Sequence, residues 1–211
     1  IPAQTILSKA ADVRVAWGGK EAVEGVLRSP KKYWADDVIF GPKYSFVVIG
    51  KNSFPKENLD NLAYRIALDA SIFEQQGCNS PHTIFVEKNG EVDETKVAQA
   101  IAKAMQKVLK RIPKPQVSPA IASNVINIRA EYDFLGEVFC SEGTEWTVIL
   151  SDEQGVADAC YSRTLFVRPI DNINQILNYI DHSKQTMGLS ICNEDKLAFS
   201  INATRKGIER I

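Results

Sequence analysis

The sequence predicts an α/β fold with a largely parallel sheet flanked by helices. Three observations predict it. Short apolar runs recur along the chain. Amphipathic stretches at helical spacing stand between them, and Gly, Pro and Asn-Gly punctuate the junctions. Strands joined through helices run parallel, because a parallel connection needs a crossover of a dozen or more residues. The 211 residues, 45% hydrophobic and 24% charged, suffice for one large domain, or for one domain and part of another.

Val13–Trp17 reads as the first strand. Gly18-Gly19 follows, then helical character over 20–27 and a second strand at 38–40 ended by Gly41-Pro42, which together make a βαβ unit. A third apolar run, 46–49, stops at Gly50. After Pro55, the spacing of Leu59, Leu62, Ala63, Ile66, Ala67 and Ala70 predicts a long helix. Residues 84–86 read as a strand and Asn89-Gly90 as a turn. Asp93 is placed to cap a helix whose stripe runs from Val97 through Ile101, Met105 and Val108 to Ile112, with Pro113 and Pro115 ending it. Residues 125–128, 146–150 and 165–167 read as strands, the last stopping before Pro169. Ile173, Ile176, Leu177 and Ile180 predict an amphipathic helix, 188–192 a strand, and Leu197, Ile201 and Thr204 a final helix with Gly207 just past its end.

Several function classes find no support. A net charge of −1 leaves no electrostatic footprint for nucleic acid. No apolar run approaches the length of a membrane span, and no secretory signal pattern is present. The cysteines, Cys78, Cys140, Cys160 and Cys192, form no CxxC pair, and His82 and His182 are the only histidines, so a zinc site lacks its close ligand pairs. Four cysteines in so long a chain read as free thiols of a reducing cytoplasm. Lys103, Lys107, Lys110 and Arg111 read as a solvated basic helix face. The chain opens on Ile1-Pro2 and ends at Arg210-Ile211 directly after a helix pattern, so it reads as a fragment or an excised domain.

The stretch most informative about chemistry is Phe73-Glu74-Gln75-Gln76-Gly77-Cys78-Asn79-Ser80-Pro81. A loop between helix and strand can aim a thiol into a cleft, and Gly77 lets backbone approach a ligand. A thiolate attacks acyl carbon readily and leaves readily afterwards. The alternative is a buried, inert cysteine, which composition by itself favours.

Gln76-Gly77-Cys78 resembles the Gly-Gln-x-Cys nucleophile signature of aldehyde dehydrogenases. Upstream, Ile39-Phe40-Gly41-Pro42-Lys43 resembles that family's Glu-Leu-Gly-Gly-Lys, and Val15-Ala16-Trp17-Gly18-Gly19 its Phe-Thr-Gly-Ser stretch. Downstream, Glu137-Val138-Phe139 resembles Glu-Ile-Phe-Gly-Pro, and Met187-Gly188-Leu189-Ser190 resembles Tyr-Gly-Leu-Ser. The closer likeness is to the long-chain acyl reductases of bacterial luminescence. It is carried by Ala16-Trp17-Gly18-Gly19-x-Glu21-Ala22, Phe40-Gly41-Pro42-Lys43 and Gln76-x-Cys78-x-Ser80-Pro81.

That resemblance implies an aldehyde dehydrogenase-like catalytic domain at 46–211, preceded by the last βαβ piece of a nucleotide-binding domain at 1–45, with the boundary near 41–50. It implies Cys78 as nucleophile, and NADPH as cofactor reducing a long-chain acyl thioester to fatty aldehyde through an acyl-cysteine. Glu137 would bond the nicotinamide ribose, Phe139 would pack on the nicotinamide, and Gly18 and Gly19 would line the cofactor cleft. A surface Glu137, a core Phe139 and an ordinary Gly18-Gly19 turn are the open alternatives. Ile39 stands where oxidising relatives carry the Glu that activates water, and an apolar side chain takes no proton. The resemblance thus implies acyl reduction rather than aldehyde oxidation, unless Ile39 is simply a strand residue. Implied partners are an acyl-CoA or acylated protein donor, a homo-oligomer and a fatty acid reductase complex, with no nucleic acid and no membrane span. The family's oxyanion Asn and oligomerisation segment fall outside the chain, so the fragment is expected to be inactive alone. Other readings are a short-chain CoA-acylating aldehyde dehydrogenase and a non-catalytic thiol domain that binds a partner. His82 is expected at the surface or a strand edge rather than in a dyad with Cys78.

Overall fold

The computed structural model describes residues 3–51, 53 and 58–211, so Pro55 lies outside the described residues. The chain divides into two compact units, Ile1–Lys43 and Tyr44–Ile211.

The first unit contains α1 (Ala3–Ala10), β1 (Val13–Trp17), α2 (Lys20–Arg28) and β2 (Asp36–Phe40). The two strands pair in parallel from Val13↔Asp36 to Trp17↔Phe40, the expected βαβ unit. A buried arginine ties the pieces together. Arg14 of β1 donates to both carboxylate oxygens of Asp37 at 2.6 and 2.9 Å, to Ser8 of α1, and to the carbonyls of Val26 and Ser29 at the end of α2. Hydrogen bonds from Arg14 and then Lys31 hold the Asp37 carboxyl well below the usual carboxylate range. α1 had no counterpart in the sequence reading.

The second unit is a six-stranded sheet in the order β5-β6-β7-β4-β3-β8. Its strands are β3 (Tyr44–Ile49), β4 (Pro81–Glu87), β5 (Gly136–Cys140), β6 (Thr147–Ser151), β7 (Thr164–Ile170) and β8 (Lys184–Ser190). All neighbours pair in parallel except β5 with β6, so an antiparallel strand closes one edge. α3 (Leu59–Ser71) and α4 (Glu94–Arg111) cover one face, where Ile66, Ala67, Ile101 and Met105 pack on Ile84, Val148 and Val167. α6 (Asn193–Lys206) and a 3-10 helix, Ile173–Asn178, cover the other, with Phe199 and Ile176 against Phe46 and Phe85. Asp93 caps α4 as expected, its side chain accepting from the Lys96 N–H at 2.7 Å. Gly207 ends α6 at φ 129°, a backbone region that side chains disfavour.

Four local expectations differ. The strand expected at 125–128 is part of α5 (Pro119–Leu135). Ser118 accepts from the Ile121 N–H and Pro119 opens the helix, so capping outweighs the β-branched run Val125-Ile126-Asn127-Ile128. The helix expected from Ile173 is a short 3-10 turn, whose three-residue period suits Ile173 and Ile176. β7 continues through Pro169 to Ile170. Its ladder to β6 ends at Leu150↔Val167, so the proline sits where one neighbour has already run out. The strand expected at 188–192 starts earlier, at Lys184, and Cys192 instead precedes α6.

Candidate active site

α3 ends at Ser71, and the chain does not run straight on to the cysteine. Phe73, Glu74 and Gln75 all have left-handed backbone, with φ of 55°, 54° and 62°. A second left-handed triplet, Tyr161, Ser162 and Arg163, lies just before β7 with φ of 57–60°. Left-handed backbone costs an L-residue roughly 1–2 kcal/mol, so two consecutive triplets persist only where other bonds hold them.

Those bonds join the triplets to each other. The Ser162 N–H donates to the Glu74 carbonyl at 3.2 Å. Arg163, 1% exposed, donates from Nε to both Glu74 carboxylate oxygens at 3.0 and 3.1 Å, and from Nη1 to the Ile112 carbonyl at 2.8 Å. The Lys114 ammonium donates to the Thr144 carbonyl and to Ser162 Oγ and O, and burial lowers its pKa to about 8. Gln75 is wholly buried. Its Nε2 donates to the carbonyls of Pro81 at 2.9 Å and Thr164 at 2.8 Å, while its Oε1 accepts from the Thr164 N–H at 2.7 Å.

Cys78 sits on the turn that this clasp supports. The Ser80 N–H donates to the Gly77 carbonyl at 3.0 Å, closing a turn that carries Cys78 on its exposed side. The Ser45 hydroxyl donates to the Cys78 carbonyl at 2.6 Å and accepts from the Thr186 N–H at 3.2 Å, pinning the turn to β3 and β8. A Cβ on Gly77 would come within 2.9 Å of Asn79 Oδ1, a contact that the exposed Asn79 side chain relieves by turning away.

Neighbours of Cys78 line two cavities. One, of about 520 Å³, has Glu74 and Gln76 on its wall with Gln116, Val117, Ile121, Asn124 and Tyr161. The other, of about 270 Å³, is bounded by Ile72, Phe73, Asn79, Ser80, Thr186 and Arg210. Cys78 itself lines neither cavity; its turn lies between residues that line one and residues that line the other.

The other cysteines differ in setting. Burial pushes the Cys160 thiol up, and the Cys192 thiol lies 3.0 Å from Asp195 Oδ2, while Cys140 is exposed on edge strand β5. His82 is a correction: it is buried, 2% exposed, where the β3–β4 register shifts. Its ring meets Tyr161 and Tyr44 edge-on at 5.3 and 6.1 Å, and burial lowers its pKa to about 4. Of the described groups, none hydrogen-bonds its Nδ1.

The structure does not bring Glu137 and Phe139 to Cys78. Glu137 is exposed on β5 opposite Leu150, which pairs with Val167, which in turn pairs with Ile84 of β4. At the usual strand spacing that puts it about 14 Å from β4 across the sheet, and the register places it well past the end where Cys78 enters. The cavity Glu137 lines is shared with Glu94, Thr95 and Pro169. Phe139 packs against the core beneath α4. Gly18 and Gly19 lie in the first unit between β1 and α2, Gly18 at φ 137° and Gly19 as the residue before the helix. Ile39 lies in β2 and is 37% exposed. Gln75, Ser45, Glu74 and Arg163 were not singled out as supports of the cysteine turn. Arg163 bonds Glu74 and Thr164 bonds Gln75, each across 89 residues of chain, and no local pattern marks such pairs.

Among the described residues there is no cluster of His, Cys, Asp and Glu able to hold a metal ion, and no helix long and apolar enough to cross a membrane. Comparison with known proteins places the fold and the family. Over 94% of its length the chain superposes on an NAD-dependent aldehyde dehydrogenase from Burkholderia multivorans with TM-score 0.72 and 18% identity, covering 40% of that chain. It superposes similarly, with TM-score 0.68 and 13% identity over 95% of its length and 43% of that chain, on an NADP-dependent glyceraldehyde-3-phosphate dehydrogenase from Bacillus halodurans. At such identities the likeness speaks for the fold. In sequence, the chain is 26% identical over 209 residues to the long-chain acyl-protein thioester reductase of Aliivibrio fischeri, and 27% over 202 residues to that of Vibrio harveyi. Each match takes in 95% of this chain but only 40% of the relative's length. Residues 3–211 match the acyl-CoA reductase family LuxC, and to that family the chain belongs.

Proposed function

We propose that the full-length protein reduces a long-chain acyl thioester to the fatty aldehyde, with Cys78 as the group that carries the acyl chain. The observation that supports this most is the exposed thiol on a braced turn between α3 and β4. The relatives named as long-chain acyl-protein thioester reductases supply the substrate class. The donor is an acyl-CoA or an acylated protein. Tyr44–Ile211 would be the thiol-bearing catalytic domain, and Ile1–Lys43 the end of a nucleotide-binding domain that includes Gly18 and Gly19.

The Cys78 thiolate attacks the donor carbonyl, its S–C bond forms, and the donor's S–C bond breaks, with the departing thiol taking the proton. NADPH, when bound, supplies hydride to the thioester carbon. The resulting thiohemiacetal on Cys78 collapses to aldehyde, and the C–S electrons return to the cysteine. The residues present fit the nicotinamide end of a dinucleotide beside the turn: the cavity of about 520 Å³ offers apolar walls at Val117 and Ile121 and amides at Gln116 and Asn124. This reading does not depend on Glu137 or Phe139. Both carboxylate oxygens of Glu74 already accept from Arg163. With Ile39 in place of the oxidising relatives' Glu, the acyl-enzyme would wait for reductant. Free cysteines suit a cytoplasmic enzyme, and a homo-oligomer within a fatty acid reductase complex is the assembly proposed for the whole protein.

Single Cys→Ala variants of the full-length protein test the assignment by NADPH-dependent aldehyde formation. Cys78→Ala should lose activity by at least ~10³-fold. Cys140→Ala, the other exposed thiol, should retain it. Activity surviving in Cys78→Ala would remove the proposal.

A further inference from the structure

We infer that Gln75, together with Ser45, is a positioning residue that aims the Cys78 thiol for acyl transfer, an inference resting on the reading of Cys78 as the acyl carrier. The Gln75 amide performs two tasks. Bonding from Nε2 to Pro81 joins the residue just ahead of the cysteine turn to the residue just after it, so the side chain closes the base of the loop 75–81. Bonding to both the N–H and the carbonyl of Thr164 continues the hydrogen-bonded edge of β7 beyond its last pair with β4. Pro81 has no N–H and could not form that continuation itself. The amide therefore stands in for a missing rung and fixes the height of the turn against two strands.

Ser45 acts from the opposite side. Its hydroxyl reaches the carbonyl of Cys78 itself, so it restrains the peptide plane that sets where the cysteine's Cα–Cβ bond points. The left-handed triplet before Gln76 is the backbone consequence: Phe73 to Gln75 must reverse hand to deliver a buried amide inward while Cys78 remains outward. A surface turn that needed only to connect helix to strand would require neither a wholly buried glutamine nor a left-handed approach.

Positioning separates from folding in a kinetic split. In acyl transfer the new S–C bond to Cys78 forms as the donor's S–C bond breaks, which demands alignment. Alkylation of an exposed thiol by a small reagent demands little. The full-length protein and its Gln75→Met and Ser45→Ala variants would be mixed with tetradecanoyl-CoA without cofactor. Acyl-Cys78 formation would be followed across donor concentrations, alongside iodoacetamide alkylation of Cys78 and thermal unfolding. A misplacement of about 1 Å can cost ~10²-fold. The maximal acylation rate should fall by about that factor in Gln75→Met and about tenfold in Ser45→Ala, with half-saturation and alkylation within about threefold of wild type. Acylation within twofold of wild type in the folded variants, or acylation and alkylation falling in step, would overturn the inference. Should Gln75→Met not fold, Ser45→Ala alone decides it. A wild-type protein that takes no acyl group on Cys78 would instead remove the reading beneath it.

Discussion

His82 is buried in β4, and no described group hydrogen-bonds its Nδ1. Four residues after Cys78, at the start of a strand, it reads as an edge histidine, yet the register shift between β3 and β4 turns it into the protein between Tyr44 and Tyr161. Burial lowers its pKa from 6.5 to about 4. Between those values the folded protein binds fewer protons than the unfolded chain, so stability falls as pH drops through that window and is fully present above it. The difference corresponds to at most about 3 kcal/mol. Denaturant unfolding at pH 7.5 and pH 5 should show a larger loss for the wild type than for His82→Phe, and an equal loss in both would contradict the account. At this same scale the sequence marked Cys78 but not its supports. The cysteine stands in a short run with a recognisable spacing, whereas the Gln75 and Arg163 bonds join segments far apart in the chain.

Secondary elements with one clear apolar stripe were legible. α3 and α4 match their predicted spans closely, because Ala63, Ile66 and Ala70, and Val97, Ile101, Met105 and Val108, recur at helical spacing on buried faces. α5 was misread because its buried contacts are few: Val125 and Tyr132 are its buried residues, and its β-branched run is otherwise half-exposed or exposed. Its junction with β5 supplies a test. A Cβ on Gly136 would lie 2.0 Å from the Leu150 carbonyl oxygen, so any side chain there pushes β5 off β6. Gly136→Ala should lower stability by at least ~2 kcal/mol. Gly25, exposed within α2 and without a neighbour in reach of a Cβ, is the contrast, and Gly25→Ala should be neutral or raise stability by up to ~1 kcal/mol. Urea midpoints of the two variants decide it, and equal effects would show that strand spacing at Gly136 is not the constraint.

For the whole molecule, strand–helix alternation sufficed for the class and for most of the sheet, since parallel strands buried on both faces are continuous apolar runs. Order of the sheet, the antiparallel edge and the twin left-handed triplets were not legible, because each arises from contacts between distant segments. The Glu137 and Phe139 assignments rested on a short likeness. Both residues lie on edge strand β5, three strands from β4, with Phe139 at the end of the sheet where Cys78 enters and Glu137 further along. The proposed function comes down to one claim: an acyl group is held on Cys78 until reductant arrives. Peptide mass spectrometry of the full-length protein after brief exposure to tetradecanoyl-CoA tests it most directly. The account predicts a tetradecanoyl adduct on the Cys78 peptide that persists without cofactor and disappears as tetradecanal when NADPH is added. An adduct on another cysteine, or release of the free acid without NADPH, would contradict it.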